Sequence, residues 1–144
     1  NLRLASVNEL KTDNNMIRPL NVFVDSMLSG QVIKVIGGMQ QMSFIDPRDV
    51  AEAIVKLLDT NKKWQKVYNV GTGWLCTKDL LSMAKMVIEI GKKRGLKPVE
   101  LNIEEKQVIQ SAGLNIDLIQ KDTGWEPKIT LEQMIEDIYK MKGI

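Results

Sequence analysis

An α/β fold of short strands with about five helices is what this chain of 144 residues predicts, on three observations. Apolar runs of strand length, Leu2 to Val7, Gln31 to Ile36 and Lys66 to Val70, end at glycine or polar residues. Helical apolar stripes follow Pro19, Pro47, Thr77, Asn115 and Thr130, four of them behind a proline or a capping side chain. Glycines stand where the two kinds of segment change over, and they can take backbone angles closed to other residues.

In chain order, Asn1 to Val7 reads as a strand and the polar, Asn-rich Lys11 to Arg18 as a loop. Pro19 opens a helix with Leu20, Phe23, Val24, Met27 and Leu28 on one face, capped by Gly30. Gln31 to Ile36 is a strand that ends at Gly37-Gly38, after which Gln40 to Ser43 is expected on a loop and Phe44-Ile45 in the core. Asp46 caps the next helix with Pro47 at its first position, and Asp49 favours the helix dipole. Val50, Ala53, Ile54, Leu57 and Leu58 form its expected buried face.

Lys66 to Val70 then enters the turn Gly71-Thr72-Gly73, and Thr77 is the expected cap of a helix burying Leu80, Leu81, Ala84, Val87 and Ile88. Met83 and Met86 are expected to fill core gaps. Pro98 to Ile103 alternates as a strand, whereas Glu104 to Ala112 has no clear period. Asn115 to Asp122 is amphipathic and stopped by Gly124, and Thr130 with Gln133 forms a capping box before a terminal helix.

Composition excludes several functions. With 44% hydrophobic and 26% charged residues, the chain is long enough for its own core and needs no crosslinks. Its lysines are scattered apart from Lys62-Lys63 and Lys92-Lys93-Arg94 at expected helix ends, and the net charge is only +2, so nucleic acid is rejected as a partner. No histidine is present, which removes the usual general base and the commonest metal ligand and leaves the lone Cys76 without an activator. A single cysteine suits a reducing compartment, and with no signal peptide or membrane-length apolar run the expected location is the cytoplasm.

Four stretches in order carry a resemblance: Leu2 to Val7, Gly37 to Val55 with its Phe-Ile and Arg48-Asp49-Val50-Ala51, Tyr68-Asn69-Val70-Gly71-Thr72-Gly73, and Gly124-Trp125-Glu126-Pro127. Together they resemble the C-terminal part of the NAD-dependent epimerase/dehydratase family, the extended Rossmann-type short-chain dehydrogenases that act on nucleotide sugars. The resemblance implies that residues 1–144 are a substrate-binding portion. The NAD-binding Rossmann part and the catalytic Tyr-x-x-x-Lys would lie upstream, and the start at Asn1 within a strand gives the same expectation.

The family's substrate contacts map onto Ser6, where an Asn is usual, and onto Lys34 and Ile36 on the strand that lines the nucleotide base. They also fall on Gln40, on Met42 where an arginine clamps the diphosphate, and on Gln110 near a second such arginine. Asn115 and Leu118 replace a family Asp and Lys. A thioether offers none of the forked donors of a guanidinium. NAD or NADP is implied for the full-length protein and none for this chain, because Gly71-Thr72-Gly73 lacks the third glycine and the context of a dinucleotide turn. No catalytic or metal-binding residue is assigned. The implied partner is a nucleotide sugar or related small molecule, and exposed strand edges make a homo-oligomer possible. The competing reading is a non-catalytic binding or regulatory module that kept the fold.

Overall fold

The first strand segment serves two sheets. In the computed structural model, which describes residues 1–8, 18–108 and 113–144, β1 (Leu2–Leu4) pairs in parallel with β5 (Tyr68–Val70), Leu2 opposite Tyr68. The chain changes partner at Ala5, so that β2 (Ser6–Val7) pairs in parallel with β4 (Gln41–Ile45), Ser6 opposite Phe44. β4 also pairs antiparallel with β6 (Thr77–Asp79), and β3 (Ile33–Ile36) pairs in parallel with β7 (Leu101–Glu104). The helices are α1 (Pro19–Leu28), α2 (Pro47–Asp59), α3 (Leu80–Lys93), α4 (Asp117–Thr123) and α5 (Leu131–Met141). Mixed α/β architecture and five helices, among the described residues, are thus as expected. The Lys11 to Arg18 loop, except Arg18, lies outside them.

Most of the helix signals operate locally. Asp46 accepts from the Arg48 N–H at 2.8 Å with Pro47 behind it, and Thr130 accepts from the Gln133 N–H at 3.2 Å. Gly30 and Gly124 take φ of 66° and 68° past the ends of α1 and α4. Three expectations are corrected. Gln40 to Ser43 is not a free loop, because from Gln41 onward it is a strand whose backbone is claimed by Thr77–Asp79. That pairing also removes Thr77 from the cap position, and Asp79 caps α3 through the Ser82 N–H at 2.7 Å. On α2 only Ala53 and Leu57 of the expected stripe are buried and Val50 is half-buried, while Ile54 and Leu58 are 41% and 65% exposed.

Two apolar clusters result among the described residues. The larger joins α1, α3 and α5 to Ile33, Val35 and Phe44, with Met83 buried and Met86 packed at its edge. The smaller gathers Ile45, Tyr68, Val70, Ile119 and Trp125 under α2 and α4. At Gly91 of α3, side chains of both α1 and α5 come close to the backbone. A Cβ there would lie 2.7 Å from the Tyr139 hydroxyl and 2.8 Å from Met27 Cε, and that hydroxyl is anchored by donation to the Val87 carbonyl at 3.0 Å. Gly91→Val is therefore expected to cost about 3 kcal/mol in urea unfolding despite the better helix propensity. A variant as stable as the parent would show that the helices can separate there.

Candidate functional site

A depression of about 370 Å³ opens between the start of α1 and the β3–β7 pair. Strand alternation builds its floor: Ile33 and Val35 point into the core, while Lys34 and Ile36 face outward. Pro19, Val22 and Phe23 of α1 form an apolar wall, and Gln40, Leu80, Lys106 and Val108 close the remaining sides. The turn at Gly37 and Gly38 sets this shape, with φ of 79° and 100°. A Cβ on Gly37 would come within 2.8 Å of Gln40 Oε1 and 3.1 Å of the Lys106 carbonyl, so only glycine lets the chain after β7 lie against the turn.

Of the residues expected at a substrate site, Lys34, Ile36 and Gln40 are brought together here. Gln40 also staples the turn, accepting from the Gly38 N–H at 2.6 Å and donating to the Ile36 carbonyl at 2.7 Å. Ser6 lies outside the lining, half-buried, and its hydroxyl accepts from Arg18 Nη1 at 2.9 Å. Met42 is half-buried against the larger cluster and stands directly opposite the exposed Lys78 on β6. Gln110 lies outside the described residues. The lining adds Lys106 and Val108, which the sequence reading missed because no period marks Glu104 to Ala112. Asn8, at the end of β2, was also missed as a candidate. It is fully buried and neither end of its amide has a partner among the described residues, the kind of buried polar group that calls for an explanation.

Two ammonium groups at the mouth of an apolar-walled depression suit an anion attached to a flat or apolar group. Glu104, paired beside Ile36, and the exposed Glu105, next to Lys106, are carboxylates of the neighbouring surface that do not line it. Among the described residues the lining holds no carboxylate, thiol or phenol, and the groups they supply are those of a binding surface. A second cleft, formed by Gly73, Trp74 and the run 113–117, presents an 81% exposed indole and the carboxylate of Asp117 but no cation among the described residues.

The Gly71-Thr72-Gly73 turn does not fit a dinucleotide. The buried Thr72 hydroxyl donates to the Phe44 carbonyl at 3.0 Å, Gly71 packs against Ala5, and no helix opens at Gly73. No metal-ligand cluster occurs among the described residues, and no helix among them is long and apolar enough to cross a membrane. Burial pushes the Cys76 thiol up to about 11, and its Sγ donates to the Ile129 carbonyl. Iodoacetamide at pH 8 should accordingly leave Cys76 unlabelled in the folded chain and label it readily in urea. Because the folded thiol ionises above the unfolded one, its contribution to stability is present below about pH 8.5 and is lost as pH rises toward 11. Rapid labelling of the folded chain would contradict this burial.

Residues 6–71 match the NAD dependent epimerase/dehydratase family. That segment holds Ser6, Lys34, Ile36, Gln40 and Met42. No curated protein sequence matches the chain. Among solved structures, it is similar to UDP-glucose 4-epimerase from Thermotoga maritima with UDP-glucose, at 22% identity and a TM-score of 0.78 over 99% of this chain and 45% of that one. It is similar to UDP-glucuronic acid 4-epimerase from Bacillus cereus in complex with UDP-glucuronic acid and NAD, at 20% identity and a TM-score of 0.77 over 99% and 44%. RMD from Pseudomonas aeruginosa, complexed with NADPH, matches at 18% identity and a TM-score of 0.78 over 97% and 46%. The fold is therefore that of part of an epimerase-type Rossmann-like protein, and the chain spans less than half the length of these three structures.

Proposed function

We propose that this chain is the C-terminal, substrate-binding portion of an NAD-dependent nucleotide-sugar epimerase, dehydratase or reductase. The dinucleotide site and the Tyr-x-x-x-Lys would be carried upstream, and the protein would work in the cytoplasm. The observation that supports it most is the convergence of Lys34, Ile36 and Gln40, expected from the resemblance, with Lys106 in one depression. In this reading the base rests against Ile36, Val22 and Phe23, and the lysines face the phosphates. The chain's own work is to bind and orient; the hydride chemistry belongs to the cofactor and to residues outside it.

Amide exchange with and without UDP-glucose tests the reading. Protection is expected at 19–23, 33–36 and 101–108. Protection confined to 113–117, or none anywhere, would refute it. Met42, where an arginine is expected, favours a second reading, a non-catalytic relative that kept the fold for binding. The two separate on whether the polypeptide expressed from its own gene turns over UDP-sugars with NAD.

A further inference from the structure

Trp74 stands on a tight turn that presents its ring to solvent. The Leu75 N–H donates to the Thr72 carbonyl at 2.9 Å, and the Thr77 hydroxyl donates to the Gly73 carbonyl at 2.8 Å, which fixes the backbone on either side of the indole. One edge of the ring lies against Gly113, where a Cβ would sit 3.7 to 4.0 Å from Cη2, Cζ3 and Cζ2. The cleft it shares with Asp117 has a volume of about 470 Å³ and no lining residue in common with the nucleotide seat.

The carboxylate in this cleft is held in place. Asn115 Nδ2 donates to Asp117 Oδ2 at 3.1 Å, and Asn115 Oδ1 accepts from the Asp117 N–H at 2.9 Å. The Asn115 carbonyl in turn accepts from Asn69 Nδ2 at 2.9 Å, which ties the group to β5. Asp117 Oδ1 takes no donor among the described residues.

Both groups favour positive charge, since the face of an indole carries the negative end of its quadrupole and the carboxylate a full negative charge. No cation lines the cleft among the described residues, and the adjoining stretch 109–112 is uncharged in sequence. One carboxylate beside an indole is a poor donor set for a metal ion, which needs several oxygen, nitrogen or sulfur ligands. A guanidinium suits it better than an ammonium, because it is planar enough to stack on the ring and presents forked donors to a carboxylate. Leu75 and Leu118, next in sequence to Trp74 and Asp117, are 46% and 42% exposed, more apolar surface than a small ion would cover.

From this charge complementarity we infer that the cleft receives an arginine side chain of a partner protein, stacked on Trp74 and paired with Asp117, with apolar neighbours of that arginine against Leu75 and Leu118. The site goes beyond the nucleotide reading and does not depend on it.

The test follows the indole N–H resonance of Trp74 in the 144-residue chain, identified by its loss in Trp74→Leu, during titration with acetyl-Leu-Arg-Leu-amide. A saturable shift is expected, with a dissociation constant of about 1 mM. Asp117→Asn should weaken binding about tenfold and, because the side chain is exposed, keep a melting temperature close to the parent's. The matching citrulline peptide, which has the same shape without the charge, should leave the resonance in place. No shift with the arginine peptide, an equal shift with the citrulline peptide, or parental affinity in Asp117→Asn overturns the assignment. A shift on adding UDP-glucose would give the cleft to the nucleotide and overturn it as well. A shift that grows with the concentration of the chain alone would identify a second copy as the occupant instead.

Discussion

Asp49→Ala is expected to destabilise the chain by about 3 kcal/mol, a fall in melting temperature of roughly 10 °C. Asp49 is 2% exposed, and its two carboxylate oxygens accept the backbone N–H groups of Lys128 and Ile129 at 3.1 and 3.0 Å. These bonds fasten the segment between Trp125 and α5 to the first turn of α2, and thereby link the two apolar clusters. Removing the carboxylate strands two donors at once. Asp49→Asn keeps one acceptor and should cost about half as much. Glu52→Ala is the control, because it removes only the ion pair of Glu52 with the exposed Lys128 ammonium, which solvent screens, and should leave the melting temperature close to the parent's. Equal melting temperatures for Asp49→Ala and Glu52→Ala would show that the carboxylate does not hold the segment.

Asp49 also shows what the sequence could and could not reveal of the fold. Its place in the first turn of a helix was legible from Asp46-Pro47, since capping is decided within a few residues. Its partners lie 79 and 80 residues away, and no local pattern announces them. The same limit explains Ile54 and Leu58: helical spacing identifies an apolar stripe but not what covers it. Thr77 and Asp79 are both good caps, and the choice between them was made by the pairing of β6 with β4, a long-range contact.

The double variant Lys34→Met, Lys106→Met is expected to weaken UDP-glucose binding about 100-fold, each single change accounting for about tenfold. Both side chains are exposed at the rim of the depression, so the variant should keep the parent's circular dichroism and melting temperature. Methionine preserves most of the aliphatic stem, which confines the change to charge. Binding by the parent should also weaken as salt rises, and the variant should lose most of that dependence. A double variant with the parent's affinity would mean that the ligand sits elsewhere.

The site was half legible for a physical reason. Lys34, Ile36 and Gln40 belong to a strand and the glycine turn that ends it, so their side of the sheet follows from alternation and from Gly37-Gly38 alone. Lys106 reaches the same depression only because β7 pairs with β3 in a register that sets Lys34 opposite Asn102 and Ile36 opposite Glu104, carrying the chain on past Gly37. Met42 had been placed on a displayed loop. In the structure it is a strand residue partly absorbed by the core, and Lys78 is the cation across from it.

Calorimetric titration of UDP-glucose into the unmodified 144-residue chain, with glucose alone as the reference, tests the nucleotide seat directly. Saturable one-to-one binding is expected for the nucleotide sugar and none for glucose, because the lysines and apolar walls address the phosphates and base. No heat from UDP-glucose, or equal binding of glucose, would contradict it.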